Sequence, residues 1–283
     1  DAYNPFSHYF RYLWEGNKGR QNEFPEFPLF TSWPHYMEAY HNHFHRFRGK
    51  NVTFMEVGVQ HGGKIPILRD YFGPGLTYIG IDINPQVQIF SQNADWVHIE
   101  IGDSASRDLW KDLRKKYPHV DIFLDDGGHT MEQQRVSIEE MLSHVQPEGV
   151  FICEDLATSW NHDFGGIPKG DVSNSTFLET TMIGLIHYTL DWLNGDWITS
   201  GPMYPNPPPY STYPPLYELI HRQVKHIHMY DQMVVYEKGL PMKPRMLNSV
   251  GSFVNRRGRV GGAVDWTAVL KKLQLHSNSP WKW

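Results

Sequence analysis

The sequence predicts an α/β protein built on a doubly wound, mostly parallel sheet. Between residues 51 and 160, short apolar runs of strand length alternate with segments of helical periodicity, a pattern typical of repeated strand–helix–strand units. Acidic side chains directly follow several of these runs, and sheets of this kind bind ligands at the carboxyl ends of their strands. Residues 224–230 and 232–237 alternate in hydropathy and predict an antiparallel hairpin that closes the sheet.

The first part of the chain, residues 1–50, predicts an N-terminal extension that ends in a helix. Residues 34–47 carry tyrosine, methionine and phenylalanine side chains at helical spacing. Ser32 is placed to cap this helix, and Pro34 is tolerated in its first turn. We expect the helix to cover the sheet with its apolar side. A ligand-binding role for its tyrosine and histidine side chains is the alternative.

The core that binds cofactor and metal is predicted at residues 51–160. Five buried strands are expected, at residues 52–59, 77–83, 96–101, 120–124 and 149–153. The helices between them are expected to begin near Lys64 and to span residues 106–116 and 131–145. Parallel strands joined in this way place their helices on the two faces of the sheet.

The remaining chain predicts an insertion and a closing segment. Residues 161–223 are expected to form the insertion or lid, with a helix at residues 176–193. The proline-rich stretch at residues 204–215 excludes a regular helix or a central strand. Residues 224–283 are expected to form the closing hairpin and a basic tail, which ends in a helix at residues 265–275. We predict that the whole chain forms a single domain.

Composition excludes several kinds of partner and site. Of the 283 residues, 40% are hydrophobic and 20% are charged, as in ordinary globular proteins. A net charge of −5 without a basic stripe argues against a nucleic-acid partner, and no apolar run approaches the ~20 residues of a membrane span. Cys153 is the only cysteine, which excludes an intrachain disulfide, and the 16 histidines are dispersed without the spacing of zinc ligands.

Two acidic pairs end neighbouring predicted strands, and they predict a divalent-metal site. Asp125 and Asp126 end one apolar run, Glu154 and Asp155 end the next, and His129 follows the first pair after two glycines. Burying several carboxylates together is costly unless a cation lies between them. We therefore predict that Asp126, Glu154 and Asp155 hold a divalent cation, with His129 beside it. The alternative is that the acids cap helices and that the histidine lies on the surface.

A glycine-rich turn follows the first predicted strand. Its spacing is Glu56-x-Gly58-x-x-x-Gly62, and it opens a helix. Glycines in such a turn let a ligand approach the backbone closely, although a purely structural turn explains them equally well. The G-x-G-x-x-G fingerprint of dinucleotide-binding folds is absent.

The ends of the next two predicted strands carry groups that suit a nucleoside. Asp82 ends the second strand, where a carboxylate accepts hydrogen bonds from both ribose hydroxyls. Gly102, Asp103 and Ser104 follow the third strand, and Asp103 can reach an adenine amino group from there. Each feature alone is weak, but suitable groups at three successive strand ends together predict a nucleoside cofactor.

The motifs MEVGVQHGG, IGIDI and IGDS resemble those of class I S-adenosylmethionine-dependent methyltransferases, and the resemblance covers about residues 54–155. It implies a seven-stranded Rossmann-like sheet that the predicted hairpin closes. It also implies that Glu56 and Gly58 lie near the methionine part of the cofactor, that Asp82 holds its ribose, and that Asp103 lies by its adenine. The full set of expected cofactor-binding residues is Glu56, Gly58, Gly62, Asp82, Gly102, Asp103 and Ser104.

The segments DDGGHT and ICED resemble those of the metal-dependent sugar O-methyltransferases of macrolide biosynthesis, of the tylosin and mycinamicin type. This resemblance implies that Asp126, Glu154 and Asp155 hold Mg²⁺ or Mn²⁺ and that His129 is the general base. Asp125 completes the expected catalytic set, and it either faces the cofactor or orients its neighbours. The macrolide enzymes carry a long N-terminal domain that this chain mostly lacks, so the acceptor stays open.

We expect a Mg²⁺-dependent methyltransferase that acts on a sugar hydroxyl in a vicinal diol of a glycan, polysaccharide or glycoside. A sugar hydroxyl is a poor nucleophile, and a hard cation bound to two vicinal oxygens lowers the pKa of one of them. His129 then takes the proton, and residues 161–223 form the acceptor side. The alternatives are methylation of a catechol or another small diol, and a non-catalytic domain that binds S-adenosylmethionine.

The place where such a protein works depends on its acceptor. Because the chain begins at Asp1 rather than at Met, we expect that processing or truncation removed a preceding segment, such as a signal or an anchor. Modification of surface glycans implies the Golgi or the secretory lumen, whereas modification of a small metabolite implies the cytoplasm. The sequence does not predict an oligomeric state.

Overall fold

The computed structural model describes residues 30–92, 94–168, 175–194, 214–240 and 271. The chain divides into two units, Asp1–Met242 and Lys243–Trp283, and the elements below belong to the first of them. The stretch at residues 204–213 lies outside the described residues, as does the helix predicted at residues 265–275 apart from Lys271. The single-domain assignment of the whole chain stays a prediction.

The described residues form one seven-stranded, mostly parallel sheet, which confirms the predicted fold class. Its strands are β1 Val52–Val57, β2 Leu76–Asp82, β3 Val97–Ile101, β4 Val120–Asp125, β5 Val145–Cys153, β6 Val224–Tyr230 and β7 Met233–Lys238. They lie in the order β3-β2-β1-β4-β5-β7-β6. Strands β1 to β5 are parallel, whereas β7 pairs antiparallel with β5 and β6. The strand order therefore reverses between β1 and β4.

Helices flank the sheet, and side chains cap several of them. The described α-helices are α1 Tyr36–Phe44, α2 Lys64–Phe72, α3 Arg107–Lys116, α4 Met131–Met141, α5 Ser175–Thr180, α6 Met182–Leu193 and α7 Pro214–Gln223. The start of α4 is fixed by a capping box between Thr130 and Gln133. Within the described residues, none of the helices has both the length and the apolar composition needed to cross a bilayer.

Two apolar cores cover the two faces of the sheet. Along β1 the side chains alternate, so Phe54 packs with α1 and α2 on one face while Met55 packs with α3 and α4 on the other. On the central strand β4, the adjacent side chains of Ile122 and Phe123 point to opposite faces, and both are fully buried. Strands buried on both faces are apolar throughout, which is why they are recognisable in the sequence as continuous runs.

Three predicted helices have different boundaries in the structure. The helix predicted at residues 34–47 with Ser32 as its cap is α1, Tyr36–Phe44, whose N-cap is His35. The helix predicted at residues 176–193 is divided at Thr181, whose hydroxyl accepts a hydrogen bond from the Gly184 N–H and so starts α6. The helix predicted at residues 131–145 ends at Met141, because Val145 already belongs to β5, where it pairs with Val120 of β4.

The sequence does not predict α7, which begins at Pro214. Its first two residues are prolines, and they belong to a stretch whose composition argues against a regular helix. Proline is nevertheless tolerated in the first turn, because the N–H groups there have no partner within the helix. The prediction therefore fails for the last residues of the proline-rich stretch.

Candidate active site

A cavity of about 540 Å³ opens at the carboxyl ends of strands β1 to β5. It spans the point where the strand order reverses, which is the usual ligand-binding position of such sheets. Most of the predicted site residues meet on its walls. Those that line it are Gly58, Asp82, Gly102, Asp103, Ser104, Asp126, His129, Glu154 and Asp155.

Three predicted site residues are not among those that line the cavity: Glu56, Gly62 and Asp125. Glu56 is 1% exposed and pairs with the ammonium of Lys64 at 2.6 Å. Gly62 packs against the ring of Phe90. Asp125 is 1% exposed, and burial raises the pKa of its carboxyl to about 6. Direct cofactor contacts of Glu56 and Gly62, and a catalytic role of Asp125, stay predictions.

Gly58 allows the first turn of the site to pass close to the end of β4. Its backbone has φ = +90°, a conformation that glycine adopts without steric cost. A Cβ atom at this position would lie 1.9 Å from the carbonyl oxygen of Asp126. Glycine is therefore required here both by the backbone angle and by the adjacent chain.

Replacing Gly58 by alanine is expected to lower the free energy of unfolding and to weaken cofactor binding. The positive φ costs roughly 1–3 kcal/mol for a non-glycine residue, and the clash with Asp126 adds to it. Gly73→Ala is the matched control, because Gly73 has φ = +87° but no atom within 4 Å of the added Cβ. Urea denaturation of both variants measures the difference, and equal losses would contradict a close approach at Gly58.

Asp82 is held by the backbone at the end of β2. Its Oδ2 accepts a hydrogen bond from the Gln60 N–H at 2.8 Å, and its Oδ1 accepts one from the Asn84 N–H at 2.9 Å. Gln60 has φ = +52°, which brings its N–H to the carboxylate. These bonds fix the orientation of the carboxylate. Its remaining lone pairs can accept hydrogen bonds from hydroxyl groups of a ligand.

Asp103 is hydrogen-bonded to Gln133 of helix α4, a residue that is not among the predicted site residues. Its Oδ1 accepts hydrogen bonds from the Ala105 N–H at 3.0 Å and from Nε2 of Gln133 at 2.9 Å. Gln133 also lines the cavity. The available sequence signal is the Thr130-x-x-Gln133 capping box, which places this glutamine in the first turn of α4.

Asp126, His129 and Asp155 converge on one wall of the cavity. One ligand atom from each lies within 4.8 Å of the other two. Nε2 of His129 lies 3.2 Å from Oδ2 of Asp155 and 4.0 Å from Oδ1 of Asp126. His129 and Asp155 have left-handed backbones, with φ of +57° and +54°. Non-glycine residues in this region cluster at functional sites, because the surrounding structure must hold them there.

Glu154 lies deeper than the other predicted metal ligands. It lines the cavity but does not belong to the group of ligand atoms within 4.8 Å. It is 1% exposed, and its Oε1 accepts a hydrogen bond from the hydroxyl of Tyr40. Burial and the nearby charge of Asp126 raise the pKa of Glu154 well above its usual range.

Helix α1 and the residues before it supply hydrogen-bond donors to the acidic wall, which is formed by Asp126, Glu154 and Asp155. The hydroxyl of Tyr36, on α1, donates to Oδ1 of Asp155 at 2.7 Å, and Nε1 of Trp33, just before α1, donates to the same oxygen at 3.2 Å. Tyr36 is also buried against the sheet. The helix therefore covers the sheet, as predicted, and positions a carboxylate of the site as well.

Lys64 compensates part of the negative charge. Its Nζ lies 2.7 Å from Oδ2 of Asp126 and 2.6 Å from Oε1 of Glu56. Burial alone lowers the pKa of the ammonium, but the two carboxylates outweigh this effect and raise the pKa well above its usual value. Lys64 therefore stays charged and holds one oxygen of Asp126.

The donor set of this wall suits a hard divalent cation. Asp126, Glu154 and Asp155 present three carboxylates to one cavity, and Mg²⁺ prefers oxygen ligands. A divalent cation bound here would offset the negative charge of these neighbouring carboxylates.

The chain is similar in sequence to curated sugar O-methyltransferases, although no protein-family model matches it. Demethylmacrocin O-methyltransferase of Streptomyces fradiae is 30% identical over 208 residues, which cover 71% of this chain and 48% of that enzyme. Mycinamicin VI 2''-O-methyltransferase of Micromonospora griseorubida is 26% identical over 219 residues, which cover 74% of this chain and 49% of that enzyme. The chain spans about half the length of the curated relatives it matches.

The fold is similar to that of a solved methyltransferase. MycE methyltransferase from the mycinamycin biosynthetic pathway, in complex with Mg and SAH, superposes with a TM-score of 0.61 at 21% identity. The match covers 78% of this chain and 54% of that chain. This chain therefore has the fold of class I S-adenosylmethionine-dependent methyltransferases, and its resemblance to the macrolide-sugar O-methyltransferases, expected from its motifs, is confirmed.

Proposed function

We propose that this protein transfers the methyl group of S-adenosylmethionine to a sugar hydroxyl of a glycan, polysaccharide or glycoside, with Mg²⁺ or Mn²⁺ bound. The observation that carries the proposal is that Asp126, His129 and Asp155 share one cavity with Asp82 and the ends of β1 and β3. The residues proposed to bind the cofactor and those proposed to bind the metal therefore line the same cavity. The name of a relative from Streptomyces olivaceus, 8-demethyl-8-alpha-L-rhamnosyl tetracenomycin-C 2'-O-methyltransferase, contains a rhamnosyl group and supports a sugar acceptor.

The strand ends on one side of the cavity bind the cofactor. The carboxylate of Asp82, fixed by the N–H groups of Gln60 and Asn84, accepts both ribose hydroxyls. Asp103 follows the end of β3, where its carboxylate accepts a hydrogen bond from the adenine amino group. Gly58 lets the methionine part of the cofactor approach the backbone at the end of β1. A bound S-adenosylmethionine supplies a methyl group that the positive sulfur already activates.

The acidic wall binds the acceptor's reacting end. Asp126, Glu154 and Asp155 would hold the cation, while Tyr36, Tyr40 and Lys64 orient these carboxylates through the bonds described above. A Mg²⁺ ion held by these carboxylates would supply Lewis-acid activation that lowers the pKa of the reacting hydroxyl.

His129 acts as the general base in this proposal. Its Nε2 lies 3.2 Å from Oδ2 of Asp155 and 4.0 Å from Oδ1 of Asp126, beside the carboxylates that are proposed to hold the cation. Nε2 accepts the hydroxyl proton while the oxygen–carbon bond forms and the sulfur–carbon bond breaks. The products are the methyl ether, S-adenosylhomocysteine and a protonated imidazole that returns its proton to solvent.

Trp33 is a candidate contact for the sugar of the acceptor. It lines the cavity and is 52% exposed, so its ring offers an apolar face for a sugar ring.

The compartment in which the protein works depends on the acceptor. Modification of glycans goes with the Golgi or the secretory lumen, and modification of a small glycoside goes with the cytoplasm. Methylation of a catechol-type diol is the competing activity, because the same metal binds both kinds of vicinal oxygen.

An acceptor panel tests the proposed function. The intact chain is incubated with methyl-labelled S-adenosylmethionine, Mg²⁺ and either hexosides, glycans or catechols, and linkage-resolved mass spectrometry locates the label. We expect label on a hydroxyl of a sugar diol. Label on catechols alone would favour the competing activity, and cofactor binding without transfer to any acceptor would favour a binding domain.

Replacing Tyr40 by phenylalanine is expected to weaken Mg²⁺ binding by about 10–100-fold, the usual effect of losing a residue that orients a metal ligand. The change removes the hydrogen bond to Glu154 but keeps the ring in the core. Tyr117→Phe is the control, because it removes a hydroxyl bonded to Glu100 away from the cavity. Calorimetric titration with Mg²⁺ compares the two, and equal affinities would refute the orienting role of Tyr40.

A further inference from the structure

A second cluster of metal-ligating side chains lies between α1 and the β6–β7 hairpin. His43 is in the last turn of α1 and is 3% exposed. His226 and His228 lie on β6, and Glu237 lies on β7 directly opposite His226. None of the four lines the cavity described above. His226 and His228 lie two residues apart on β6, and the fold brings His43 and Glu237 to them.

The imidazoles surround the carboxylate of Glu237. Nδ1 of His43 lies 2.8 Å from its Oε1, while Nδ1 of His226 and Nε2 of His228 lie 3.3 Å and 3.8 Å from its Oε2. Ligand atoms of His43, His228 and Glu237 all lie within 4.8 Å of one another. Nε2 of His228 is buried and has no hydrogen-bond partner within the described part of the chain.

Arg46 also contacts the carboxylate of Glu237. Its Nη1 lies 2.7 Å from Oε1, the oxygen that faces His43. The other oxygen, Oε2, faces His226 and His228.

His43 can keep a hydrogen bond through Nε2 while its Nδ1 binds a metal. Its Nε2 lies 2.9 Å from the hydroxyl of Tyr230, which can either donate or accept a hydrogen bond. With the proton on Nε2, His43 donates to Tyr230 and presents the lone pair of Nδ1 toward Glu237. A hydrogen bond of this kind orients metal-binding histidines in other proteins.

We propose that His43, His228 and Glu237, with His226 beside them, form a Zn²⁺ site that is separate from the proposed Mg²⁺ site. Imidazole ligands suit Zn²⁺, whereas Mg²⁺ prefers oxygen ligands. In a tetrahedral zinc site the ligand atoms lie about 3.3 Å apart, from bonds of about 2.0 Å. The distances from the histidine nitrogens to the Glu237 oxygens, 2.8, 3.3 and 3.8 Å, lie around this value. Water or His226 completes the coordination.

Zinc in this position would join helix α1 to both strands of the hairpin. His43 lies seven residues after Tyr36 on α1, which is roughly 10 Å along a helix. The same helix carries the hydroxyls of Tyr36 and Tyr40 to Asp155 and Glu154. The zinc site would therefore hold the element that orients the acidic wall, and its existence does not depend on the proposed methyl transfer.

Metal titration of the intact chain without a histidine tag tests the proposal. Excess Mg²⁺ is present, so that the oxygen-rich site does not compete, and Zn²⁺ binding is followed by calorimetry and by elemental analysis after dialysis. Co²⁺ replaces Zn²⁺ in a parallel experiment, because tetrahedral Co²⁺ absorbs strongly in the visible range. We expect about one equivalent of Zn²⁺ and an increase of several degrees in the unfolding temperature.

Variants decide which residues bind the ion. His228→Ala and the milder His228→Asn lie on an edge strand and are expected to lower the Zn²⁺ affinity at least tenfold, with an unchanged circular dichroism spectrum. His45→Ala, next to α1 with Nδ1 bonded to backbone carbonyls, and Asp126→Asn are expected to keep it. The proposal is overturned if the wild-type chain binds no Zn²⁺ under these conditions, if both His228 variants bind it equally well, or if Asp126→Asn abolishes binding.

Discussion

Replacing His129 by alanine is expected to lower the turnover number by about 10²–10⁴-fold, which is the usual contribution of a general base. The variant keeps the ligand carboxylates and the cofactor groups, so its affinity for S-adenosylmethionine is expected to stay unchanged. Single-turnover methyl transfer measures the chemical step, and calorimetry measures the affinity. Unchanged turnover would remove His129 from the mechanism.

A matched histidine variant separates this effect from a general loss of fold. His119 also lies beside a carboxylate, with Nε2 at 2.9 Å from Oδ1 of Asp121, but it does not line the cavity. We expect His119→Ala to react at the rate of the unchanged protein. A loss shared by both variants would point to the structure rather than to proton transfer. Partial recovery of His129→Ala by added imidazole would further support a base at this position.

Replacing Asp126 by asparagine is expected to lower kcat/KM by about 10³-fold or more, because Lewis-acid activation by a bound cation is worth several kcal/mol. Asp126 is the residue that connects the acidic wall to Lys64 at 2.7 Å. Its loss therefore removes a metal ligand and leaves a buried ammonium with one partner fewer. Activity at increasing Mg²⁺ measures the effect, and a higher Mg²⁺ requirement is expected.

Asp121, on the strand that ends just before Asp126, provides the control. It lies on β4, and its Oδ2 accepts a hydrogen bond from the Thr53 N–H at 2.8 Å, away from the cavity. Asparagine keeps an oxygen that accepts this bond, so Asp121→Asn is expected to keep both activity and Mg²⁺ requirement. If Asp126→Asn behaved like this control, the proposed metal ligand set would be wrong.

The sheet and the strand ends are predictable from the sequence because the signals are local. Continuous apolar runs such as the one that ends at Asp125 mark strands buried on both faces, and parallel strands bring their carboxyl ends to one edge. Placing Asp82, Asp126 and Asp155 around one cavity follows from this rule alone. The resemblance to known methyltransferases assigns chemical roles that the periodicity does not contain.

The supporting residues are not predictable in the same way, because their contacts join distant parts of the chain. Tyr40 reaches Glu154 across 114 residues, and Tyr36 reaches Asp155 across 119 residues. At helical spacing, both tyrosines are equally consistent with core packing. Lys64 is also ambiguous, since a lysine at a helix start is usually exposed and only the fold reveals its two carboxylate partners.

Two other features of the structure differ from what the sequence predicts, because the local sequence signals are ambiguous. Proline argues against a helix in general but is tolerated in a first turn, which is how Pro214 begins α7. Histidines on different elements show no metal spacing in the sequence, yet His43 and His228 come within 4.6 Å between ring centroids. Such clusters depend on which strands and helices become neighbours, and that is a property of the fold.

The most direct test of the account is the dependence of methyl transfer on a divalent cation. The initial rate with the acceptor identified by the panel is measured in excess chelator and then with increasing Mg²⁺, while cofactor binding is measured under the same conditions. We expect the rate to vanish in chelator, to recover saturably with Mg²⁺, and cofactor affinity to change little. Full activity in chelator would contradict the claim that the carboxylates at these strand ends act through a bound cation.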